Sequence, residues 1–181
     1  MLLARARSAI SNALSKTDAE DTRVNIPPAL NNHRGCFVTL NLRGRLRGCI
    51  GNIEPIGPLA DGVERNALRA AFSDPRFPAV TADELAEIEI EVSVLTEPRQ
   101  LEFTDAEDLK KKLIPGTHGV ILRRDGRSAV FLPQVWDQLP DKEKFLENLC
   151  MKCGLPRHAW KEPGTRVSVY EAEYFSDTSE E

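Results

Sequence analysis

Hydrophobic positions recur along the chain with two periods, and the changes between them mark the elements. Leu3, Ala6, Ile10 and Leu14 are spaced as one face of a helix, which predicts an amphipathic helix over residues 2–15 docked on something larger. Residues 17–33, with Asp, Asn and Pro27-Pro28, suit an extended connector. Cys36 to Leu40 predicts a strand that turns near Gly44 and returns through Leu46 to Ile53 as a β-hairpin. Leu59, Val63, Ala67, Ala70 and Ala71 predict a helix to about Phe72, small-sided enough to pack closely on a sheet. Pro75 and Pro78 forbid its continuation. Thr81 with Glu84 forms a capping box for a short helix over 82–86. Ile88, Ile90, Val92 and Val94 then alternate with Glu87, Glu89, Glu91 and Ser93, the pattern of an antiparallel strand with one face on the core.

Further on, Thr104 with Glu107 predicts a capped helix over 105–113, ended by Pro115-Gly116. Asp125-Gly126 sits between two apolar runs as a two-residue hairpin turn. Asp141 opens a helix with Phe145, Leu146, Leu149, Cys150 and Cys153 along one side, and Gly154 with Pro156 stops it. Residues 166–175 predict a last strand, and 176–181 an acidic, frayed tail. Six strands and about five helices without βαβ alternation predict an α+β fold, an antiparallel sheet flanked by helices. We expect one domain over 1–181: a smaller lobe at 34–80 carrying the hairpin, and a main lobe from 1–33 plus 81–175, its sheet within 87–175 and the first helix packed on it.

Composition narrows the class. The 181 residues are 41% hydrophobic and 29% charged, with a net charge of −4, which suits a globular domain and does not announce a nucleic-acid binder. No run approaches the ~18 apolar residues of a membrane span, and the opening residues carry charges where a signal peptide needs its apolar core. A cytoplasmic location without membrane contact is expected, with the four cysteines reduced. No cofactor is expected.

Charge is distributed unevenly. Arg34, Arg43, Arg45 and Arg47 give the hairpin a local +4 with no acidic residue. Within it, Arg45-Leu46-Arg47-Gly48-Cys49-Ile50-Gly51 places a thiol between two glycines after a basic run, and glycine permits close approach of other groups. On a regular strand Arg45, Arg47 and Cys49 share a face, where cations would favour the thiolate. A nucleophilic cysteine also needs a base; His118, in a glycine-bounded loop, is the candidate, with Cys49 the candidate nucleophile. The competing reading makes Cys49 a small buried hydrophobe. Asp74-Pro75-Arg76-Phe77 is a rigid polar turn, fit either for binding or for a corner locked by an Asp-Arg pair. Lys110-Lys111-Lys112 reads as the solvated face of a short helix, and Trp136 and Trp160 as edge-packing aromatics.

A zinc site is not expected. With the turn centred on Gly44, residues whose numbers sum to about 88 face each other. Cys49 then opposes Thr39 and Cys36 opposes Asn52, which puts the two thiols on opposite faces. Cys150 and Cys153 lie within a helix, the wrong place for a zinc knuckle or a redox pair.

These segments, taken in order, resemble a known family. Cys36-Phe37-Val38-Thr39-Leu40, Leu46-Arg47-Gly48-Cys49-Ile50-Gly51, Ala71-Phe72-Ser73-Asp74-Pro75-Arg76-Phe77, Val92-Ser93-Val94-Leu95, Gly116-Thr117-His118-Gly119, Leu132-Pro133-Gln134-Val135 and Leu149-Cys150-Met151-Lys152-Cys153-Gly154-Leu155 together look like the AMMECR domain, over roughly 34–175. The resemblance implies a two-lobed α+β fold and, in prokaryotes, association with Memo-type and radical SAM proteins. It implies no established reaction. Cys153 stands where many members have a small residue, so a paired thiol here would not be a family property.

Two function classes follow. In one, this is a binding or accessory domain that presents Arg45, Arg47, Gly48 and Gly51, with Asp74 and Arg76, to an anionic partner, RNA or an acidic protein surface; guanidinium forks suit phosphate. In the other, it is a cysteine-dependent enzyme with Cys49 as nucleophile in an inter-lobe cleft, His118 as base, and Arg47 and Arg76 holding an oxyanion.

Overall fold

A computed structural model describes residues 1–15 and 27–177. The chain divides into two units, Met1–Leu95 with Glu173–Glu181, and Thr96–Ala172. The fold is α+β, with two antiparallel four-stranded sheets and helices against them.

In the first unit, β1 (Cys36–Leu42) and β2 (Arg45–Asn52) form the expected hairpin. Arg43 and Gly44 both take positive φ, 52° and 71°, the requirement of a tight two-residue hairpin turn. β3 (Ile88–Leu95) pairs with the other side of β1, and β8 (Ala172–Ser176) completes the order β2-β1-β3-β8. Cys36, Val38 and Leu40 alternate inward on β1, as do Ile88, Ile90 and Val92 on β3. Against that face lie α1 (Leu2–Ser15), through Ala6 and Ile10, and α2 (Leu59–Phe72), through Val63, Ala67, Ala70 and Ala71. α3 (Ala82–Leu85) carries the expected Thr81–Glu84 capping box.

In the second unit, the strands β4 (Arg99–Gln100), β5 (Gly119–Arg124), β6 (Arg127–Phe131) and β7 (Arg166–Tyr170) lie in the order β4-β7-β5-β6. Asp125 and Gly126 turn β5 into β6 with φ of 50° and 73°, as expected. Val120, Leu122, Val167 and Val169 meet Leu109 of α4 (Ala106–Lys112), Trp136 of α5 (Val135–Gln138), and Phe145, Leu146, Leu149 and Cys150 of α6 (Lys142–Lys152).

Several sequence expectations need correction. The chain divides after Leu95, not near residue 80, because β3 bonds to β1 along its whole length and so belongs to the hairpin's sheet. α1 packs on α2 and, as expected, on a strand from 87–175, β3, but the sheet it meets also contains β1 and β2 and so is not confined to that range. The run 166–175 is two strands: β7 pairs with β5 and β8 joins the other sheet, with the break at Glu171. α4 is capped one residue later than expected, Asp105 accepting from the Asp108 amide. Trp136 and Trp160 are core residues, 3% and 1% exposed, and Trp136 stacks on Phe145 with centroids 3.6 Å apart. Of the connector 17–33, residues 17–26 lie outside the described residues and 28–31 form a 3-10 turn. In the tail, Asp177 is held by Arg7 and by the Ile90 amide; residues 178–181 lie outside the described part.

Candidate functional site

β2 is an edge strand, so half its peptide groups lack a strand partner. At Cys49 a loop supplies one. The Cys49 N–H donates to Asp74 Oδ2 at 2.9 Å, and its carbonyl accepts from Arg76 Nη2 at 3.2 Å. Asp74 Oδ1 in turn accepts from the Arg76 backbone N–H at 3.1 Å and from Nε at 2.9 Å, while Oδ2 accepts from Nη2 at 2.7 Å. Asp74 is 4% exposed. The Arg76 guanidinium, with help from the Cys49 amide and against the cost of burial, holds its carboxyl well below the usual range. The Arg76 side chain itself is 52% exposed and lies 5.4 Å from the Phe77 ring centroid. The turn is thus both things the sequence allowed, a locked corner and an exposed cation.

Arg47 is not placed beside Cys49. Between Leu40 and Asn41 the register slips by one residue: Leu40 faces Gly48 and Asn41 faces Leu46, which leaves Arg47 as the extra residue of a β-bulge. Alternation therefore breaks. Arg47 is buried, its Nε and Nη2 bonded to the two Glu84 oxygens at 2.9 and 3.0 Å, with Nη1 on the Pro78 carbonyl at 2.8 Å. Arg47 pulls the Glu84 carboxyl down to about 2, with the Thr81 amide assisting. Arg47 thereby fastens the 78–84 segment to β2. Arg45 is exposed; Arg43 forms an exposed pair with Glu87, and Arg34 Nε bonds the Leu95 carbonyl.

The glycines serve internal packing. A Cβ on Gly48 would lie 2.3 Å from the Ala70 carbonyl oxygen of α2, and one on Gly51 would lie 2.2 Å from the Phe37 ring. Neither needs positive φ. Close approach, not backbone freedom, explains both.

The register places Cys49 opposite Thr39, as expected, and Cys36 opposite Asn52. Cys36 is fully buried in the core and Cys49, half-buried, points to the other side. Its Sγ accepts from Thr39 Oγ1 at 3.3 Å. Thr39 in turn faces Glu91 on β3, so Cys49, Thr39 and Glu91 form one row across three strands. Burial pushes the Glu91 carboxyl up. Sequence reasoning missed Glu91 as a neighbour of this thiol. The signal lay in the pairing of the two strands that carry alternating polar residues.

His118 belongs to the second unit and is 2% exposed. The Ile114 N–H donates to its Nδ1 at 3.2 Å, and Arg99 Nη2 lies 3.5 Å from Nε2. Burial, then the Arg99 charge, pushes the imidazole below its ordinary value, with Glu171 opposing. At the end of α6, Cys150 is buried and pushed up to about 11 by that burial, and the Cys153 thiol donates to the Cys150 carbonyl at 3.2 Å. An open cleft of about 430 Å³ between residues 100–106 and 161–167 contains none of the expected site residues. Among the described residues, no helix is long and apolar enough to cross a membrane.

Comparison with known proteins agrees with this architecture. The AMMECR1 family model matches residues 3–175. A Methanothermobacter thermautotrophicus protein is 43% identical over 153 residues, covering 84% of this chain and 80% of the relative. One from Nanoarchaeum equitans is 39% identical over 174 residues, covering 95% and 96%. The crystal structure of an uncharacterized Pyrococcus horikoshii protein superposes with a TM-score of 0.87 at 37% identity, covering 98% of this chain and 90% of that one. With the family model spanning nearly the whole sequence, the chain belongs to the AMMECR1 family.

Proposed function

We propose that the protein is a binding or accessory domain that receives an anionic group at the edge of β2, beside Cys49. One observation carries this reading: the Arg76 guanidinium is anchored on a buried carboxylate yet 52% exposed. A cation fixed in this way is preorganised, so little side-chain entropy remains to be lost on binding. Arg45 is the second cation. The set is narrower than the sequence suggested, because Arg47 is consumed by Glu84 and Arg43 faces Glu87. The setting, a modification system with Memo-type and radical SAM proteins, rests on the family resemblance, and RNA or an acidic protein surface is the partner chemistry it fits. The test is binding of a Memo-type protein and of single-stranded RNA as salt rises from about 50 to about 200 mM. Arg45→Glu and Arg76→Lys should weaken the interaction, and it should fade with salt. Binding insensitive to both would overturn the reading.

A second reading, a cysteine-dependent enzyme with Cys49 as nucleophile, is favoured by the Thr39–Cys49–Glu91 row, which sets a hydroxyl and a desolvated carboxyl in line with the thiol. Its discriminating variant is Cys49→Ser, which removes the nucleophile while keeping the backbone that Asp74 and Arg76 hold. A cellular phenotype that survives Cys49→Ser but not Arg45→Glu would favour binding over catalysis.

A further inference from the structure

We propose that His118 and Arg99 form a binding site in the second unit for a small oxyanion, the carboxylate or phosphate group of a ligand. Because the Ile114 N–H donates to Nδ1 at 3.2 Å, that nitrogen offers its lone pair, and the neutral ring carries its hydrogen on Nε2. Burial and the neighbouring Arg99 charge both keep the ring neutral near pH 7. Nε2–H is then a donor, and Arg99 Nη2, 3.5 Å away, is also a donor. Two donors cannot satisfy each other, so their approach calls for an acceptor that both can reach.

His118 is 2% exposed and the Ile114 contact fixes its ring, whereas Arg99 is exposed at the edge strand β4. A ligand can enter from the arginine side and meet the imidazole at its end. A buried N–H left without an acceptor is costly, and that cost is regained when the acceptor arrives. A guanidinium beside a neutral N–H donor suits one or two oxygens of an anionic group. Glu171 is the nearby carboxylate whose charge the ring feels. It follows β7, whose Tyr170 pairs with Gly119 next to His118, and it is exposed. Its negative charge opposes an incoming anion.

In the resting tautomer one imidazole nitrogen accepts from the backbone and the other already carries a proton, so His118 donates to a ligand rather than accepting a proton from one.

The experiment uses the full chain labelled with ¹⁵N and reads the His118 ring nitrogens by long-range ¹H–¹⁵N correlation, with inorganic phosphate and acetate as probes. The expected result is an Nε2–H tautomer whose signal moves saturably with at least one probe, at an apparent Kd in the low-millimolar range (~1–10 mM). Arg99→Gln should weaken that binding about tenfold or more, and Glu171→Gln should strengthen it severalfold. Tighter binding of phosphate or of acetate identifies which group the ligand carries. An Nδ1–H tautomer would overturn the proposal, as would a signal unmoved by about 50 mM of either probe. So would a shift that persists unchanged in Arg99→Gln, or a site that Glu171 already fills, seen as an Nε2–H signal moved by Glu171→Gln alone with no response to either probe.

Discussion

Asp74 holds Cys49 by its backbone and not by its thiol: a buried carboxylate accepts the Cys49 N–H at 2.9 Å. The same carboxylate binds Arg76 through both oxygens. Removing it strands the edge amide and frees the guanidinium. Asp74→Ala should therefore lower the unfolding free energy by about 3 kcal/mol, and Asp74→Asn, which keeps an acceptor for the amide, by about half of that. Urea denaturation checks both. Equal losses would mean that the charge does not matter at this corner.

Stability should fall in acid through the same corner and its neighbour. Asp74 and Glu84 both have folded-state values below those of the unfolded chain, Glu84 at about 2 against 4.5. Such groups contribute stability that is present above the unfolded value and is lost as pH falls toward the folded one. The urea midpoint should thus drop between about pH 5 and about pH 3, and Glu84→Gln should flatten that drop even as it lowers stability overall. Glu91, pushed up by burial, works in the opposite direction and softens the slope. A slope unchanged in both Glu84→Gln and Asp74→Asn would place its origin elsewhere.

Gly48 and Gly44 separate packing from conformation within one hairpin. A Cβ at Gly48 meets rigid helix backbone at 2.3 Å, while Gly44 has open space around it but φ of +71°. Gly44→Ala should cost about 1–2 kcal/mol, the penalty for a side chain in the left-handed region. Gly48→Ala should cost more than about 3 kcal/mol, because α2 must move off the sheet. Thermal unfolding of the two variants measures the difference, and the reverse order would contradict the packing.

Alkylation should sort the four thiols by position. Cys36 and Cys150 are fully buried, and burial raises both. Cys49 and Cys153 are half-buried. In the native protein near pH 8, iodoacetamide followed by peptide mass spectrometry should label Cys49 and Cys153 at least about a hundredfold faster than the other two, which must await unfolding. Early labelling of Cys36 would mean that the core at the start of β1 opens readily.

Much of this was legible from residue order. The alternation of Ile88, Ile90, Val92 and Val94, the Asp125-Gly126 turn and the Thr81–Glu84 box are local signals, and local physics realises each of them. Even the facing of Cys49 and Thr39 followed from counting back from Gly44. What the sequence could not display was a competition settled by distant partners. Arg47 reads as one of a row of exposed cations until Glu84, 37 residues on, and the Pro78 carbonyl capture it and force the bulge. Likewise Glu91 reads as a solvent-facing acid until pairing with β1 sets it in line with Thr39. Residues 166–175 read as one strand because nothing in their composition records a change of sheet at Glu171.

β3 and β8 are neighbours in one sheet, yet the whole second unit is spliced into the chain between them. The splice closes on itself, because the Thr96 N–H donates to the Glu171 carbonyl at 2.9 Å and the Glu171 N–H to Thr96 Oγ1 at 2.9 Å. The two crossings are thus the rungs of a single doorway rather than separate tethers. A deletion from Thr96 through Glu171 bridged by a tight two-residue turn would leave β3 and β8 joined as an ordinary hairpin, with Arg7 and Asp177 still pinning its far end.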